Sequence, residues 1–299
     1  MKSDYIKLHI IILILAFTGL LGDIITIHAL DLVWYRTLIG SLGLMVWGMV
    51  LSKKKKGSYL QFFQLNGKNI MLYLMIGMFI GLHWFCFFHS IHLSNISVGV
   101  GCLSSAALFT TVLESIFFRR KIQLLDVFTS LLIIVGLYII FQFETKYVWG
   151  IVYALGAAFF ASLFTVLNKK YVSNNGDSSF SVTFYEIVGA WIVCNILLIG
   201  EGDFSVWEFS LSQNDWISLL ILGLVCTSYT FVVNIEILQR LSAFVVVLAF
   251  NLEPIYGMVL GAFQGEKMTI GFYIGACVIL SAVFLYPIAK RKFVDKSVA

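Results

Sequence analysis

Charge is scarce in this sequence. Only 12% of its 299 residues are Asp, Glu, Lys or Arg, and 60% are apolar, whereas a soluble domain carries about a quarter charged residues. A water-soluble globule of this length could not hide so much apolar surface, but a bilayer can solvate it. Proline is limited to two residues, and no Ser/Pro-rich, Gly/Ser-rich or acidic tract interrupts the chain. Nothing therefore reads as an inter-domain linker. The five cysteines, Cys86, Cys102, Cys194, Cys226 and Cys277, stand singly in apolar runs, without CxxC or Cys/His spacing. They read as small packing residues, and no metal site is expected. No GxxxxGK[ST] phosphate loop occurs, so the chain is not expected to use ATP, and no cofactor is called for. The net charge of +4 does not point to nucleic acid. The basic residues sit in short clusters between apolar runs, where membrane topology accounts for them.

The apolar runs are long. A membrane-spanning helix needs ~20 mostly apolar residues, and the sequence predicts spans over 8–28, 33–51, 70–92, 97–118, 123–141, 148–168, 181–200, 216–237, 242–263 and 269–288. Several contain Gly and β-branched residues that weaken a soluble helix. In hydrocarbon the backbone must satisfy its own hydrogen bonds, so helix prevails, and continuous rather than alternating runs exclude a barrel. The first run follows Lys2 and Lys7 like a signal peptide. It is longer than a signal h-region and lacks a small-x-small cleavage site, so it reads as a retained span.

Orientation follows from the basic residues. With the N-terminus in the cytoplasm, seventeen of the twenty Lys and Arg fall on that side, including Lys53 to Lys56, Arg119 to Lys121, Lys169, Lys170 and Lys290 to Lys292; the exceptions are Arg36, Lys146 and Lys267. One opposite loop is acidic, with Glu201, Asp203, Glu208 and Asp215. Both termini are expected inside, in a multi-pass membrane protein.

The second half answers the first. A shift of 146 residues sets Gly77 on Gly223, Ile91 on Ile237, Val100 on Val246, Phe117 on Phe263 and Ile133 on Ile279, and a shift of 150 sets Trp34-Tyr35-Arg36 on Phe184-Tyr185-Glu186. Five spans per half is odd, so the halves, 1–141 and 148–299, are inverted in the membrane. Inverted repeats are a transporter architecture, with substrate near the midplane between them. Ser97 to Ile140 and Ala243 to Tyr286 resemble the paired repeats of the drug/metabolite transporter superfamily, EamA type. The second copy carries the signature better, with Asn251-Leu252-Glu253-Pro254 and Gly265-Glu266-Lys267. The first copy departs from it, with Leu108 in place of Pro254 and Arg119-Arg120 in place of Gly265-Glu266. The resemblance implies an all-α, ten-helix membrane fold, with the fourth and ninth spans lining a central cavity. It also implies export or facilitated movement of small metabolites, often amino acids, across a bacterial inner membrane.

Ionisable groups inside a membrane are expensive and usually functional or paired. Asp23, deep in the first span, and Arg36, early in the second, form either a substrate-facing or gating pair or an ion pair tying the two spans. Glu253 falls near the middle of the ninth span, beside Asn251 and Pro254. Proline removes a backbone donor there, and a kink carrying a carboxylate and an amide would suit an amine; otherwise both side chains only bridge helices. His83 and Trp84 sit mid-way along the third span, and Tyr229 is the repeat partner of His83. Tyr229, Val232, Val233 and Glu236 share one helix face at that spacing and read as a cavity lining. Tyr185 and Glu186 begin the seventh span, Glu186 being the inverted counterpart of Arg36. Glu114 with Arg119, and Glu236 with Arg240, read as anchors near the cytoplasmic side. Small residues at Ser97, Gly101 and Ser105, at Gly257 and Gly261, and at Gly271 and Gly275 read as packing seams.

These readings favour a secondary carrier or facilitator of small organic metabolites by alternating access, more an exporter than an importer. Its partners are a small-molecule substrate and the bilayer, with no obligatory protein partner and no catalytic residue. Efflux of drugs or hydrophobic cations is the alternative. A lipid-modifying enzyme is a distant third, because His89 and His92 lack nearby carboxylates and a third ligand. The proline kink, present in the second half alone, marks the ninth span as the expected moving part.

Overall fold

A computed structural model describes residues 2–55, 63–94, 96–141, 147–202, 205–209, 211–263 and 269–298. Among these residues every regular element is helical. The elements are α1 (Lys2–Ile24), α2 (Ala29–Lys55), α3 (Gly67–Leu93), α4 (Ile96–Leu103), α5 (Ala106–Phe117), α6 (Leu124–Phe141), α7 (Val148–Asn175), α8 (Ser179–Glu201), α9 (Gln213–Gly223), α10 (Thr230–Arg240), α11 (Ala243–Phe250), α12 (Glu253–Phe263) and α13 (Ile270–Val298). The ten expected spans are present, three of them interrupted.

The interruptions have local chemical causes. Between α4 and α5 the hydroxyls of Ser104 and Ser105 donate to the carbonyls of Gly101 (2.6 Å) and Cys102 (2.7 Å). Side chains that bond nearby carbonyls compete with the helix ladder. Between α11 and α12, Asn251 does the same, its Nδ2 donating to the carbonyls of Val247 (3.0 Å) and Leu248 (3.3 Å). Pro254 follows in the first turn of α12, where a missing N–H breaks no bond. The proline is therefore not what distinguishes the halves. A break occurs in both, and a shift of 146 residues superposes Ser105 on Asn251. The third interruption is a π-helical turn, Leu224–Tyr229, between α9 and α10. Its wider turn frees carbonyls that side chains take up: Thr227, Ser228 and Thr230 donate to Leu222, Gly223 and Val225, each five residues back (2.8–2.9 Å).

Packing crosses the two halves. α1 lies on α10 and α12, α2 on α8 and α9, and α7 on α3 and α5. The closest approach is between α3 and α8: a methyl group built on Gly77 falls on the Glu186 carbonyl, and one on Gly189 falls on the Leu74 carbonyl. Of the small-residue seams, Gly275 approaches Gly136 of α6 in the same way, whereas Gly257 meets only the Ala16 carbonyl, at 3.8 Å; the surroundings of Ser97 and Gly261 lie outside what the structure describes. The exposed surface is itself apolar, with Met71, Ile116, Phe128, Ile270 and Phe284 turned outward. Seven helical stretches among the described residues, with α4–α5 and α9–α10 each taken as continuous, are long and apolar enough to cross a bilayer, and Leu124–Ile140 and Ala243–Gly257 are shorter apolar stretches.

Both ends of the bundle are latched. At the end bearing the N-terminus and most Lys and Arg, here the basic end, Arg240 pairs with Asp4 (2.7 Å) and Lys7 with Glu236 (3.0 Å). Glu114 pairs there with Arg120 (2.7 Å) and accepts from the Phe244 N–H (3.3 Å). The expected pairs Glu236–Arg240 and Glu114–Arg119 are thus replaced, the first by contacts between helices. Arg119 turns aside because its backbone is left-handed, with φ 52°. At the acidic end Asp215 closes a capping box with Ser212 and accepts from the Thr26 N–H (2.9 Å) and hydroxyl (3.2 Å). The Tyr35 hydroxyl donates to the Val206 carbonyl (2.7 Å), and Trp34 Nε1 donates to Asn195 (3.1 Å).

Replacing Gly77 with Val drives a branched side chain into the α8 backbone, an overpacking cost of about 1–3 kcal/mol or more. Gly77→Val should lower the melting midpoint of the detergent-solubilised protein by several degrees. Gly200→Val, with nothing within 4 Å, should leave it unchanged; equal midpoints for the two would refute the close α3–α8 contact.

Candidate functional site

The most polar feature in the middle of the bundle is Arg36. It sits two turns into α2, is 2% exposed, and is satisfied by three different elements. Its Nε donates to the Thr227 hydroxyl in the π turn (2.8 Å). Its guanidinium lies over the Trp84 ring of α3, 4.0 Å from the centroid, a cation–π contact that is strong when desolvated. Glu253, the first residue of α12, lies within electrostatic range of the guanidinium. Phe231 of α10 packs edge-on against Trp84 at 5.4 Å. The site thus has a cation from the first half, a carboxylate from the second within electrostatic range of it, and two aromatic rings beside the cation.

The local sequence explains how each group arrives there. Thr227 reaches Arg36 because the π turn inserts an extra residue per turn and rotates the hydroxyl toward α2. In the same turn Ser228 donates to the Gly40 carbonyl (2.8 Å), pinning the two elements together. Glu253 is brought to the middle of the bundle by the α11–α12 break. It opens a new helix, where the dipole favours a carboxylate. Although deep, it keeps part of its surface accessible, unlike Arg36.

The sequence candidates divide accordingly. Trp84 and Glu253 belong to the Arg36 site. Asn251, 8% exposed, spends its amide on the α11 carbonyls and shapes the break. His83 points away from its neighbour Trp84. Its Nδ1 is 2.9 Å from the Ala157 carbonyl of α7, and Phe164 packs edge-on at 5.8 Å. Tyr229 is 40% exposed beside Trp47. The expected Tyr229–Glu236 stripe does not form a cavity lining, because the π turn breaks the helical register at Tyr229 and Glu236 is engaged by Lys7. The Tyr185 hydroxyl donates to the Phe63 carbonyl (2.8 Å) and ties α8 to the segment preceding α3. Glu186 is fully buried on α8, beside Asn168 and apart from Arg36. The Asp23 side chain lies outside the described residues. His89 stacks on Phe85 and meets the edge of Tyr153, and no group of three His, Cys, Asp or Glu that would hold a metal occurs among the described residues.

Sequence reasoning matched Arg36 with Asp23, as a gating or helix-tying pair, and it missed Thr227, Phe231 and Asn168. The first two need the π turn to be known. Asn168 was within reach: a shift of 150 residues sets it against Thr18, and an amide in an apolar run is a signal in itself.

The model of the EamA-like transporter family matches residues 5–142 and 148–286. A curated protein of Bacillus subtilis (strain 168), the uncharacterised transporter YxxF, is 23% identical over 297 residues, covering 97% of this chain and 91% of that protein. A solved crystal structure superposes with a TM-score of 0.79 at 14% identity, covering 97% of this chain and 99% of the other, which supports the fold alone.

If Arg36 and Glu253 stabilise one another, their substitutions are not additive. Arg36→Gln and Glu253→Gln should each lower the melting midpoint, and the double variant should lose less than the two together, with a coupling on the order of 1 kcal/mol. Simple additivity would show that the two charges do not interact.

Proposed function

The chain belongs to the EamA-like transporter family, and from that premise we propose that it is a secondary carrier or facilitator of amino acids or closely related zwitterions, working outward across a bacterial inner membrane by alternating access. The observation that carries this reading is that Arg36 and Glu253, opposite charges from the two halves, lie within electrostatic range of one another. A guanidinium presents a planar fork that matches a carboxylate, and a carboxylate across from it suits an ammonium. An amino acid offers both charges at short separation, so its carboxylate can meet Arg36 while its ammonium meets Glu253. Trp84 and Phe231 then offer an apolar wall to the side chain. A hydrophobic cation would instead face the Arg36 charge on the same wall, which disfavours the drug-efflux reading.

The moving parts are the interrupted spans. Breaks between α4 and α5 and between α11 and α12, with the π turn before α10, supply bending points around the Arg36 site. Latches at both ends suit an occluded conformation: opening the basic end would separate Arg240 from Asp4 and Lys7 from Glu236, and opening the acidic end would release Thr26 from Asp215. The positive-inside asymmetry supports a cytoplasmic basic end. The two halves, 1–141 and 148–299, then act as inverted repeats rocking about the midplane.

In proteoliposomes, counterflow of labelled amino acids should be measurable, and Glu253→Ala should reduce it at least tenfold while membrane insertion is preserved. Normal flux in that variant would remove Glu253 from the path, and flux of hydrophobic cations without amino-acid flux would favour efflux. For topology, an impermeant thiol reagent applied to intact cells should label a cysteine at Lys146 and spare one at Lys55; the reverse pattern would invert the orientation.

A further inference from the structure

Glu186 is fully buried, and neither of its carboxylate oxygens makes a hydrogen bond among the described residues. The polar atoms around it share that condition. Oδ1 of Asn168, the amide beside it, and the Thr183 hydroxyl, one turn earlier on the same helix, are also buried without partners. The cations and titratable groups brought by the surrounding elements are committed elsewhere. Arg36 of α2 is held by Thr227 and Trp84. On α3, the Tyr73 hydroxyl, within electrostatic range of Glu186, donates to Asp177 (2.7 Å), and His83 bonds Ala157. On α10, Glu236 and Arg240 pair with Lys7 and Asp4. On α8 itself Tyr185 bonds Phe63, and on α7 Lys169 donates to the Leu238 and Gln239 carbonyls.

An ionised carboxylate without a cation, and with no donor beside it beyond the Asn168 amide, is not a stable occupant of such a place. A carboxylic acid is, because its O–H supplies a donor where the unpartnered atoms are mainly acceptors. A metal cation would need several oxygens around a hole of its own. Here the side chain has no accessible surface, and Gly77 packs directly on the Glu186 carbonyl. The position also suits exchange. Glu186 lies two turns from the start of α8, Asn168 two turns from the end of α7, and Asn234, whose Oδ1 is likewise unpartnered, nearly two turns from the end of α10. All three ends are at the basic end, and α10 packs on both α7 and α8.

We propose that Glu186 is the proton-binding group of this carrier: it holds a proton in the closed conformation and returns it to water at the basic end when α7, α8 and α10 part. The coupling role rests on the transport reading, whereas the bound proton does not depend on the substrate. One carboxylate takes one proton from water and gives it back, and no other reactant is needed.

Infrared spectroscopy of the purified full-length protein at neutral pH reads the C=O stretch of protonated carboxyl groups with no substrate present. Wild type should show a protonated-carboxyl band that is lost in Glu186→Gln and kept in Glu186→Asp and Glu253→Gln. A wild-type spectrum without the band, or an undiminished band in Glu186→Gln, overturns the proposal. In proteoliposomes an imposed pH gradient should change wild-type flux of labelled amino acids several-fold and leave Glu186→Gln unresponsive; a gradient response in that variant equal to wild type also overturns it. If wild type carries none of the amino acids, the transport reading falls, and the infrared band still decides the proton site.

Discussion

A guanidinium in the apolar middle of a bilayer protein is among the most costly groups to place, and the architecture around Arg36 is arranged to hold it. No single helix could satisfy it. The hydrogen bond comes from Thr227, which depends on a π turn, the cation–π face from Trp84 on α3, and the counter-charge from Glu253, which depends on a broken ninth span. A regular α-helix through 224–229 would rotate Thr227 away, and a continuous helix through 251–252 would carry Glu253 past the site. Irregular backbone at membrane depth is tolerated only where protein or a cavity covers it, and both irregularities lie where the two halves meet.

The same reasoning explains why function would concentrate at this point. A pair of opposite charges that stabilise one another is displaced readily by a molecule carrying both charges, because each protein group keeps a partner throughout. Helix breaks that position the charges are also the weakest points of the helix ladder, so the elements that bind are the ones able to bend. Glu186, the inverted counterpart of Arg36, sits at a similar depth from the opposite end but has no cation partner among the described residues. The repeat thus provides one site that holds its charge and another that suits a neutral acid.

Much of this was legible in the residues. Ten spans followed from the apolar runs, and the family from the paired segments around Asn251–Pro254. The prominence of Trp84 and Glu253 followed from polar or aromatic groups at membrane depth. What escaped was whatever depends on departures from the regular helix. Tyr229 was assigned to a cavity face by ideal spacing, and the π turn leaves it on the outside. The proline drew attention to the ninth span alone, while two serines break the fourth by hydroxyl bonding that no helix-propensity argument singles out. Arg36 was visible near a span end and was matched with the nearby Asp23, because its partners lie far away in sequence.

The central claim is that Arg36 and Glu253 together recognise a zwitterion. The most direct test compares an amino acid with its methyl ester, which lacks the carboxylate, and its N-acetyl derivative, which lacks the ammonium, as competitors of counterflow in proteoliposomes. The account predicts that the intact amino acid competes and that both derivatives fail. Competition by either derivative as strong as that of the parent would contradict it.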